Sequence, residues 1–492
     1  MVRSKIFLAA ILAATALVSG CRTGLFGSDV PAAAEPAAPP APLVVDGVRT
    51  SYADVVEKTS PAVVRIEAES KSRRIQQPVN PFGDDDFFRQ FPAPRQNPQP
   101  RLERGLGSGV IVSADGTILT NAHVIDGAEK ITVLLNDNKT FEAKLVGADK
   151  PSDLAVLKIE AQNMPFLNLG NSDTVRIGDI VLAIGNPLGI GQTVTAGIIS
   201  AKGRRTGLSD GSFEDFLQTD APINRGNSGG ALVNLSGELI GINSQILSGG
   251  PSGGNIGIGF SIPSNMAKSV MDQLLRDGRV RRGMLGIGIQ NLSQDTAQAL
   301  GLKDTSGVLV SDVKRGSAAE KAGFKRTDVI TAINGEKIED SNVLRNKVAG
   351  TLPGTEIRVT VLRDGSPVEL TATLDEFEMA GARDENSADP EGGPEKQSDT
   401  GKLGLTLQPV TPQIARQFGI EGDAEGMVVT GVDASGLAAE AGIARGDIIL
   451  EINRQTVNSA EAVQSALESA AGKPVLLLIS RRGQTIYLTV RP

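Results

Sequence analysis

The second half of the chain carries one pattern twice. Gly307-Val308-Leu309-Val310, Ala318-Ala319-Glu320-Lys321-Ala322-Gly323, Asp328-Val329-Ile330 and Ile333-Asn334 recur as Gly426-Met427-Val428-Val429, Ala438-Ala439-Glu440-Ala441-Gly442, Asp447-Ile448-Ile449 and Ile452-Asn453. Both copies open on a Leu-Gly-aliphatic turn, Leu285-Gly286-Ile287 and Leu403-Gly404-Leu405. A repeat this long is a folding unit used twice, so the chain has several domains. Its 492 residues agree, because one core does not grow that large and about two to four domains are expected. The segment 377–400 between the copies is polar and acidic, a linker by composition. Residues 375–399 hold nine acids against two bases, so the net charge of −8 sits almost wholly there. No sustained basic stripe is left to follow a phosphate backbone, which argues against nucleic acid as a partner.

Ahead of the repeats, short apolar runs alternate with turn signals from Gly105 to about Ile262. Gly109-Val110-Ile111-Val112, the turn Ala114-Asp115-Gly116 and Thr117-Ile118-Leu119-Thr120 read as a hairpin. Runs near 131–135, 140–147, 154–159, 180–184, 194–201, 216–219, 230–233, 239–244 and 257–262 continue the series. Many short strands at such spacing predict an all-β sandwich or barrels. The 57 Gly and 26 Pro supply the turns. Residues 264–278 then read as a helix with Met266, Val270, Met271, Leu274 and Leu275 along one face. The stretch 70–104 is polar and Pro-rich around Pro81-Phe82-Gly83-Asp84-Asp85-Asp86-Phe87-Phe88; it is either a disordered insert or a loop that docks through its Phe residues.

The N-terminus reads as an export signal. Arg3 and Lys5 precede the apolar run Ile6–Val18, too short for an ordinary membrane span. It ends in Val18-Ser19-Gly20-Cys21, which resembles a bacterial lipobox; the alternative is plain signal cleavage beside a chance Cys. Lipidation of Cys21 is the expectation, because no other use for the lone Cys is apparent. Arg22 follows it, which leans towards the outer membrane. The Ala/Pro-rich residues 22–48 suit an extended tether.

Chemistry concentrates at Ile223-Asn224-Arg225-Gly226-Asn227-Ser228-Gly229-Gly230-Ala231-Leu232-Val233. Glycines there let the backbone turn N–H groups inward around a Ser, as an oxyanion hole requires; equally, the run could be a Gly-rich hairpin with an idle Ser. A Ser nucleophile needs a base, and the chain has one His, His123, just after a strand. The His needs a carboxylate to fix its tautomer, and Ser152-Asp153-Leu154-Ala155 offers Asp153 at a strand start. One Cys and one His allow neither an internal disulfide nor a Cys/His metal site, and no cofactor is expected.

The order His123, Asp153, Ser228 on a β-rich background resembles the trypsin-like serine proteases of chymotrypsin fold. The match is closest to the HtrA (DegP/DegQ-like, Do-type) branch, through Thr120-Asn121-Ala122-His123-Val124, Ser152-Asp153-Leu154-Ala155, Gly226-Asn227-Ser228-Gly229-Gly230-Ala231-Leu232 and Gly254-Asn255-Ile256-Gly257-Ile258-Gly259-Phe260-Ser261-Ile262-Pro263. It covers about Tyr52 to Pro492. The resemblance implies a mainly β chain: a chymotrypsin-like double β-barrel over 49–265, a linker helix over 266–280, and PDZ domains over 281–376 and 401–492. Signal segment 1–21, tether 22–48 and acidic linker 377–400 complete it.

The resemblance also assigns roles. Ser228 would be nucleophile, His123 base and acid, and Asp153 orienter. The Gly226 and Ser228 N–H groups would form the oxyanion hole, beside Asn227, with Ser244, Gln245 and Ile246 lining the cleft. Loops 186–193, 202–214 and 246–256 would be activation loops, with Arg204 and Arg205 in the regulatory one. The position matching the S1 carboxylate of trypsin is Pro222, so cleavage after Arg or Lys is not supported, and the family's preference for small or medium aliphatic P1 residues fits better. The turns Leu285-Gly286-Ile287 and Leu403-Gly404-Leu405 would bind peptide C-terminal carboxylates. One departure stands out: Gly446-Asp447 in the second copy is Thr327-Asp328 in the first. The family further implies a homotrimer or larger assembly acting on unfolded or misfolded envelope proteins in the periplasm, with membrane contact through the N-terminal lipid. A catalytically silent peptide-binding chaperone on the same fold is the rival reading.

Overall fold

The computed structural model describes residues 44–45, 48–71, 102–186, 191–206, 213–224, 226–248, 254–377, 398–400, 403–411, 414–415, 426–470 and 474–491. The chain divides into two units, Met1–Ser51 and Tyr52–Pro492. In the first, Val44–Val45 and Val48–Arg49 pair as a small antiparallel hairpin. Cys21 lies outside the described residues, as do most of the tether, the Phe-bearing insert and most of the acidic linker.

The second unit opens with a helix, Ala53–Thr59, that leads into the first of two closed six-stranded barrels. Going round it, the strands are Val63–Lys71, Leu102–Ser113, Thr117–Thr120, Leu154–Ile159, Thr140–Asp149 and Lys130–Leu134. The second runs Thr193–Arg204, Phe216–Thr219, Asn255–Pro263, Leu239–Ser248, Ala231–Asn234 and Ile180–Gly185. The expected hairpin is present: Val110 and Ile111 pair with Leu119 and Ile118. Gly116 is required at its tip, because φ is +84° and a Cβ would come within 2.8 Å of the Ile159 carbonyl oxygen. Strand Lys130–Leu134 turns Ile131 and Val133 inward, the period of two that its sequence carries. Closure removes the open sheet edges of both barrels.

The helix expected over 266–280 spans Ser264–Asp277 and buries Ala267, Val270, Met271 and Leu274 in the core shared with the first barrel. Its apolar stripe thus has a barrel as partner. Leu275, expected on that stripe, is 48% exposed. It lies about 100° round the helix from Leu274, past the edge of the stripe.

Each repeat forms a small sheet with its own core. The first is built on Leu285, Val308, Val310, Ile330, Val359 and neighbours, the second on Leu403, Leu405, Leu407, Met427, Val429, Ile449 and neighbours. A polar N-cap starts the longer helix of each: Asp340 caps Ser341–Gly350 and Ser459 caps Ala460–Ser469. The two repeats meet along an apolar seam of Leu292, Leu309, Val329, Leu476, Leu478 and Tyr487. The mainly β architecture of two barrels followed by two repeat domains is the one the sequence leads one to expect.

Candidate active site

His123 sits in a short 3-10 turn, Ala122–Val124, that follows the barrel strand Thr117–Thr120. Asp153 ends another such turn, Lys150–Ser152, in the left-handed conformation with φ of 54°. Asp tolerates this better than most residues, and the turn aims its carboxylate back at His123. The His123 Nδ1 lies 2.8 and 3.0 Å from the two carboxylate oxygens, and the His123 backbone N–H donates to one of them at 3.0 Å. Because a carboxylate only accepts, Nδ1 carries a proton, which in the neutral ring leaves the Nε2 lone pair free to act as a base. The Asp153 carbonyl is held in turn by the Asn121 Nδ2 at 2.9 Å and by the Ala122 N–H.

Ser244 lines the cavity beside His123 and Asp153, and it does more than the sequence suggests. Expected to line the cleft, it donates its hydroxyl to the Asp153 Oδ2 at 2.9 Å, and its carbonyl accepts the Ser228 Oγ at 2.9 Å. Ser244 thereby joins Asp153 and Ser228 in one hydrogen-bonded chain. Among the described residues no hydrogen bond joins Ser228 to His123, so the hydroxyl is parked on Ser244.

The Gly-rich loop is wedged between the barrels. A Cβ at Gly229 would meet the Ser108 carbonyl at 2.1 Å, and one at Gly230 the Ile184 carbonyl at 2.2 Å. Glycine is needed here because no side chain fits and because φ at Gly229 is +82°. The Ser108 hydroxyl donates to the Gly226 carbonyl, and its N–H to the Ser228 carbonyl at 2.8 Å. Thr120 fixes the Ser108 carbonyl at 2.7 Å. Thr120 belongs to the run that carries His123, whereas Ser108 had no distinctive signal in the sequence. Gly226 has φ of +95°, and among the described residues neither its N–H nor that of Ser228 donates to a protein acceptor. The orientation of the Arg225–Gly226 peptide falls outside the described residues.

Not every expected cleft residue converges. Asn227 is 2% exposed and lies against Gly185, where a Cβ would sit 2.5 Å from its Oδ1; it faces a barrel strand. Ile246 packs on the second barrel's core. Gln245 does line a cavity of about 450 Å³ together with His123, Asp153, Phe213, Glu214 and Phe216. Pro222 is exposed.

The segment expected to be regulatory meets the first repeat, where the Asn342 Nδ2 donates to the Gly203 carbonyl. Arg204 donates to Gln218 and both Arg204 and Arg205 are exposed. Burial together with the nearby Arg205 charge holds the Arg345 guanidinium below its ordinary range. The Asn346 Nδ2 donates to the Glu214 carbonyl at 2.8 Å, Glu214 accepts from Thr206, and the Gln245 Nε2 donates to the Thr206 Oγ1 at 3.1 Å. Beneath lies a buried pair, Arg282 on Asp149, with one bond at 2.7 Å. Asp149 also caps the turn that carries Asp153, through the Ser152 N–H and hydroxyl. Arg282 stacks 4.6 Å over the ring of Phe213, which meets Phe377 edge-on.

In the repeats, Gly286 and Gly404 adopt φ of 76° and 70°. Their carbonyls accept from the Lys314 and Asp433 N–H groups, and the two loops match atom for atom in this respect.

Known proteins bear on this geometry. A trypsin-like peptidase domain matches residues 107–242, and PDZ domains match 283–374 and 428–481. The probable periplasmic serine endoprotease DegP-like of Chlamydia muridarum (strain MoPn / Nigg) is 43% identical over 458 residues, 90% of this chain and 88% of that one. The periplasmic pH-dependent serine endoprotease DegQ of Escherichia coli (strain K12) is 40% identical over 452 residues, 90% of this chain and 91% of that one. The solved HtrA-type protease AlgW with tripeptide superposes with a TM-score of 0.55 at 44% identity, covering 67% of this chain and 98% of that one. With a double barrel, two PDZ domains and relatives this similar over nine-tenths of its length, the chain belongs to the HtrA-type, DegP/DegQ-like periplasmic serine endoproteases.

Proposed function

We propose that this endoprotease cleaves misfolded or unfolded envelope proteins through an acyl-enzyme formed on Ser228. The observation that carries the reading is the Asp153 carboxylate, which takes the His123 Nδ1–H and the Ser244 hydroxyl at once while Ser244 also holds Ser228. For attack, the Ser228 hydroxyl swings from the Ser244 carbonyl to the His123 Nε2. Its oxygen bonds to the scissile carbonyl carbon as its proton passes to Nε2. The oxyanion is taken by the Gly226 and Ser228 N–H groups. His123 then protonates the leaving amine, and a water deprotonated by the same Nε2 releases the acyl group. A fluorophosphonate probe tests this. Labelling should vanish in Ser228→Ala with a fall in turnover of at least about 10⁴-fold. An unlabelled native chain would overturn it in favour of a silent chaperone.

The PDZ loops at Leu285-Gly286-Ile287 and Leu403-Gly404-Leu405 bind peptide C-termini in this reading, and occupancy is relayed to the active site through Arg204, Arg205 and their neighbours. The protein works as a homotrimer or larger assembly tethered by a lipid on Cys21. Light scattering of the purified chain and mass spectrometry of the mature N-terminus test these two points; a monomer, or a free terminus elsewhere, removes them.

A further inference from the structure

The two PDZ domains differ at the edge where a peptide would bind. Strand-addition recognition lays the ligand antiparallel along the strand that follows the Leu-Gly loop, beside the long helix. In PDZ1 that strand is Ile287–Asn291, and the helix Ser341–Gly350 lies against it. It ends its sheet, so its outer edge is unpaired among the described residues. The residues before the loop, Gly283–Met284, turn away and pair with Asp375–Glu376. Ile287 and Ile289 are left only half buried.

In PDZ2 the equivalent strand is Leu405–Pro409, and its outer edge is filled. The last residues of the acidic linker, Ser398–Thr400, pair with it antiparallel, Ser398 opposite Leu407 and Thr400 opposite Leu405. The added strand ends the sheet, and the helix Ala460–Ser469 lies against both strands. Leu405 and Leu407, the counterparts of Ile287 and Ile289, are 1% and 0% exposed. The edge in the second copy is thus covered where the edge in the first is bare.

We infer that the PDZ2 peptide edge is occupied by the chain's own Ser398–Thr400 strand, so that PDZ1 is the open site and an external C-terminus reaches PDZ2 only by displacing the linker. This rests on the reading of the Leu-Gly loops as peptide sites. The occupant supplies ladder bonds but no carboxylate, because the chain continues through Gly401 to the loop itself. It holds its place by being tethered next to the site, which gives it a high effective concentration. An incoming peptide therefore binds with its intrinsic affinity reduced by the fraction of time the edge is free.

Hydrogen exchange of the full chain, carrying Ser228→Ala to prevent self-cleavage, tests the occupancy. Amides of 398–400 should exchange at least about tenfold more slowly than those of 384–395. Exchange at the linker rate would overturn the inference. Proline removes a ladder donor, and alternate residues face the partner strand, so either Asp399→Pro or the double Ser398→Pro/Thr400→Pro must break the pairing. Whichever does should also speed exchange in Leu405–Pro409. The same proteins are then equilibrated with a random decapeptide library bearing free C-termini. Capture per chain should about double when the pairing is broken, as a second edge opens. Equal, non-zero capture by parent and variant would also overturn the inference. Slow exchange at 398–400 with no capture by any protein would instead leave the edge filled and overturn the reading of the loops as peptide sites.

Discussion

PDZ1 and PDZ2 share a fold and a core pattern, yet they are wired into the molecule differently. PDZ1 is bound to the protease domain through the buried Arg282–Asp149 pair, the Asn346 amide on the Glu214 carbonyl, and Phe377 on Phe213. PDZ2 is bonded to PDZ1 through side chains: Gln290 to both the Tyr487 N–H and carbonyl, Thr296 to Thr489, Arg326 to Glu451, Arg454 to Asp364 and Arg491 to Asp295. The difference teaches that one copy is placed to touch the candidate active site while the other is fastened to its twin.

The largest effect should come from cutting the PDZ1 tie. Asp149→Ala strands the Arg282 charge, whose side chain is 9% exposed, and uncaps the turn that aims Asp153. Breaking a buried pair from one side costs about 3–5 kcal/mol. Thermal unfolding of the protease domain should shift down and turnover of a small peptide substrate should fall. Asp447→Ala breaks the equivalent-looking pair inside PDZ2, where Asp447 is held by Arg481 at 2.7 and 2.6 Å. It should lower the PDZ2 transition and leave small-peptide turnover alone. If both variants impair turnover equally, the asymmetry between the domains is wrong.

Next in size is the seam between the copies. Leu478 is fully buried there with Leu309 and Leu476. Leu478→Ala should cost about 2–4 kcal/mol in a large-to-small core change. Small-angle scattering should then show PDZ2 released while small-peptide turnover persists. An unchanged scattering curve would mean that the polar bonds alone fix the pair.

Much of this was legible in the sequence, for identifiable reasons. The barrels announce themselves because short apolar runs recur between turn signals, some with a period of two, as at Lys130–Leu134, and some buried throughout, as at Thr117–Thr120 after Gly116. The proposed triad announces itself because it needs a rare residue, and His123 is the only His. Thr120 and Asn121 stand in the run that carries His123, but their bonds to the Ser108 and Asp153 carbonyls depend on barrel closure; Ser108 stayed hidden because a common polar residue on a strand carries no local mark. Ser244 was noticed for its place in a cleft-lining run, but its bond to Asp153 spans 91 positions and depends on barrel closure. Asn227 shows the converse: it stands beside the proposed nucleophile in sequence, yet the tight turn that presents Ser228 sends it towards Gly185. The filled edge of PDZ2 was illegible because Ser398–Thr400 has the composition of a linker and becomes a strand only through the partner beside it.

A third effect, about half as large, concerns the one local departure between the copies. Thr327 adopts φ of 69° where Gly446 has 92°. A β-branched residue in the left-handed region is strained, by about 1–3 kcal/mol. The turn survives because the following Asp makes the same buried contacts in both copies: Asp328 takes Arg363 at 2.7 Å through each oxygen, as Asp447 takes Arg481. Thr327→Gly should therefore stabilise PDZ1 by about 1 kcal/mol, and Gly446→Thr should destabilise PDZ2 by a similar or larger amount. Denaturant unfolding of the two variants checks this, and a loss of stability in Thr327→Gly would show that the Thr side chain earns its place.

The smallest effect probes whether the seam is dry. Tyr487 is 3% exposed, and its hydroxyl has no partner among the described residues. Burial, with the Glu451 charge nearby, pushes its ionisation up to about 12, so it stays a neutral phenol at any ordinary pH. Its place in the seam is fixed by main-chain bonds, the N–H to the Gln290 Oε1 at 2.7 Å and the carbonyl from the Gln290 Nε2 at 3.0 Å, which a Phe would keep. A buried hydroxyl without a partner costs about 1–3 kcal/mol, and removing it returns part of that cost. Tyr487→Phe should raise the unfolding temperature of the PDZ pair, by an amount worth about 0.5–1 kcal/mol. A fall instead would mean that water enters the seam to meet the hydroxyl, and a wet seam is one that PDZ2 can leave.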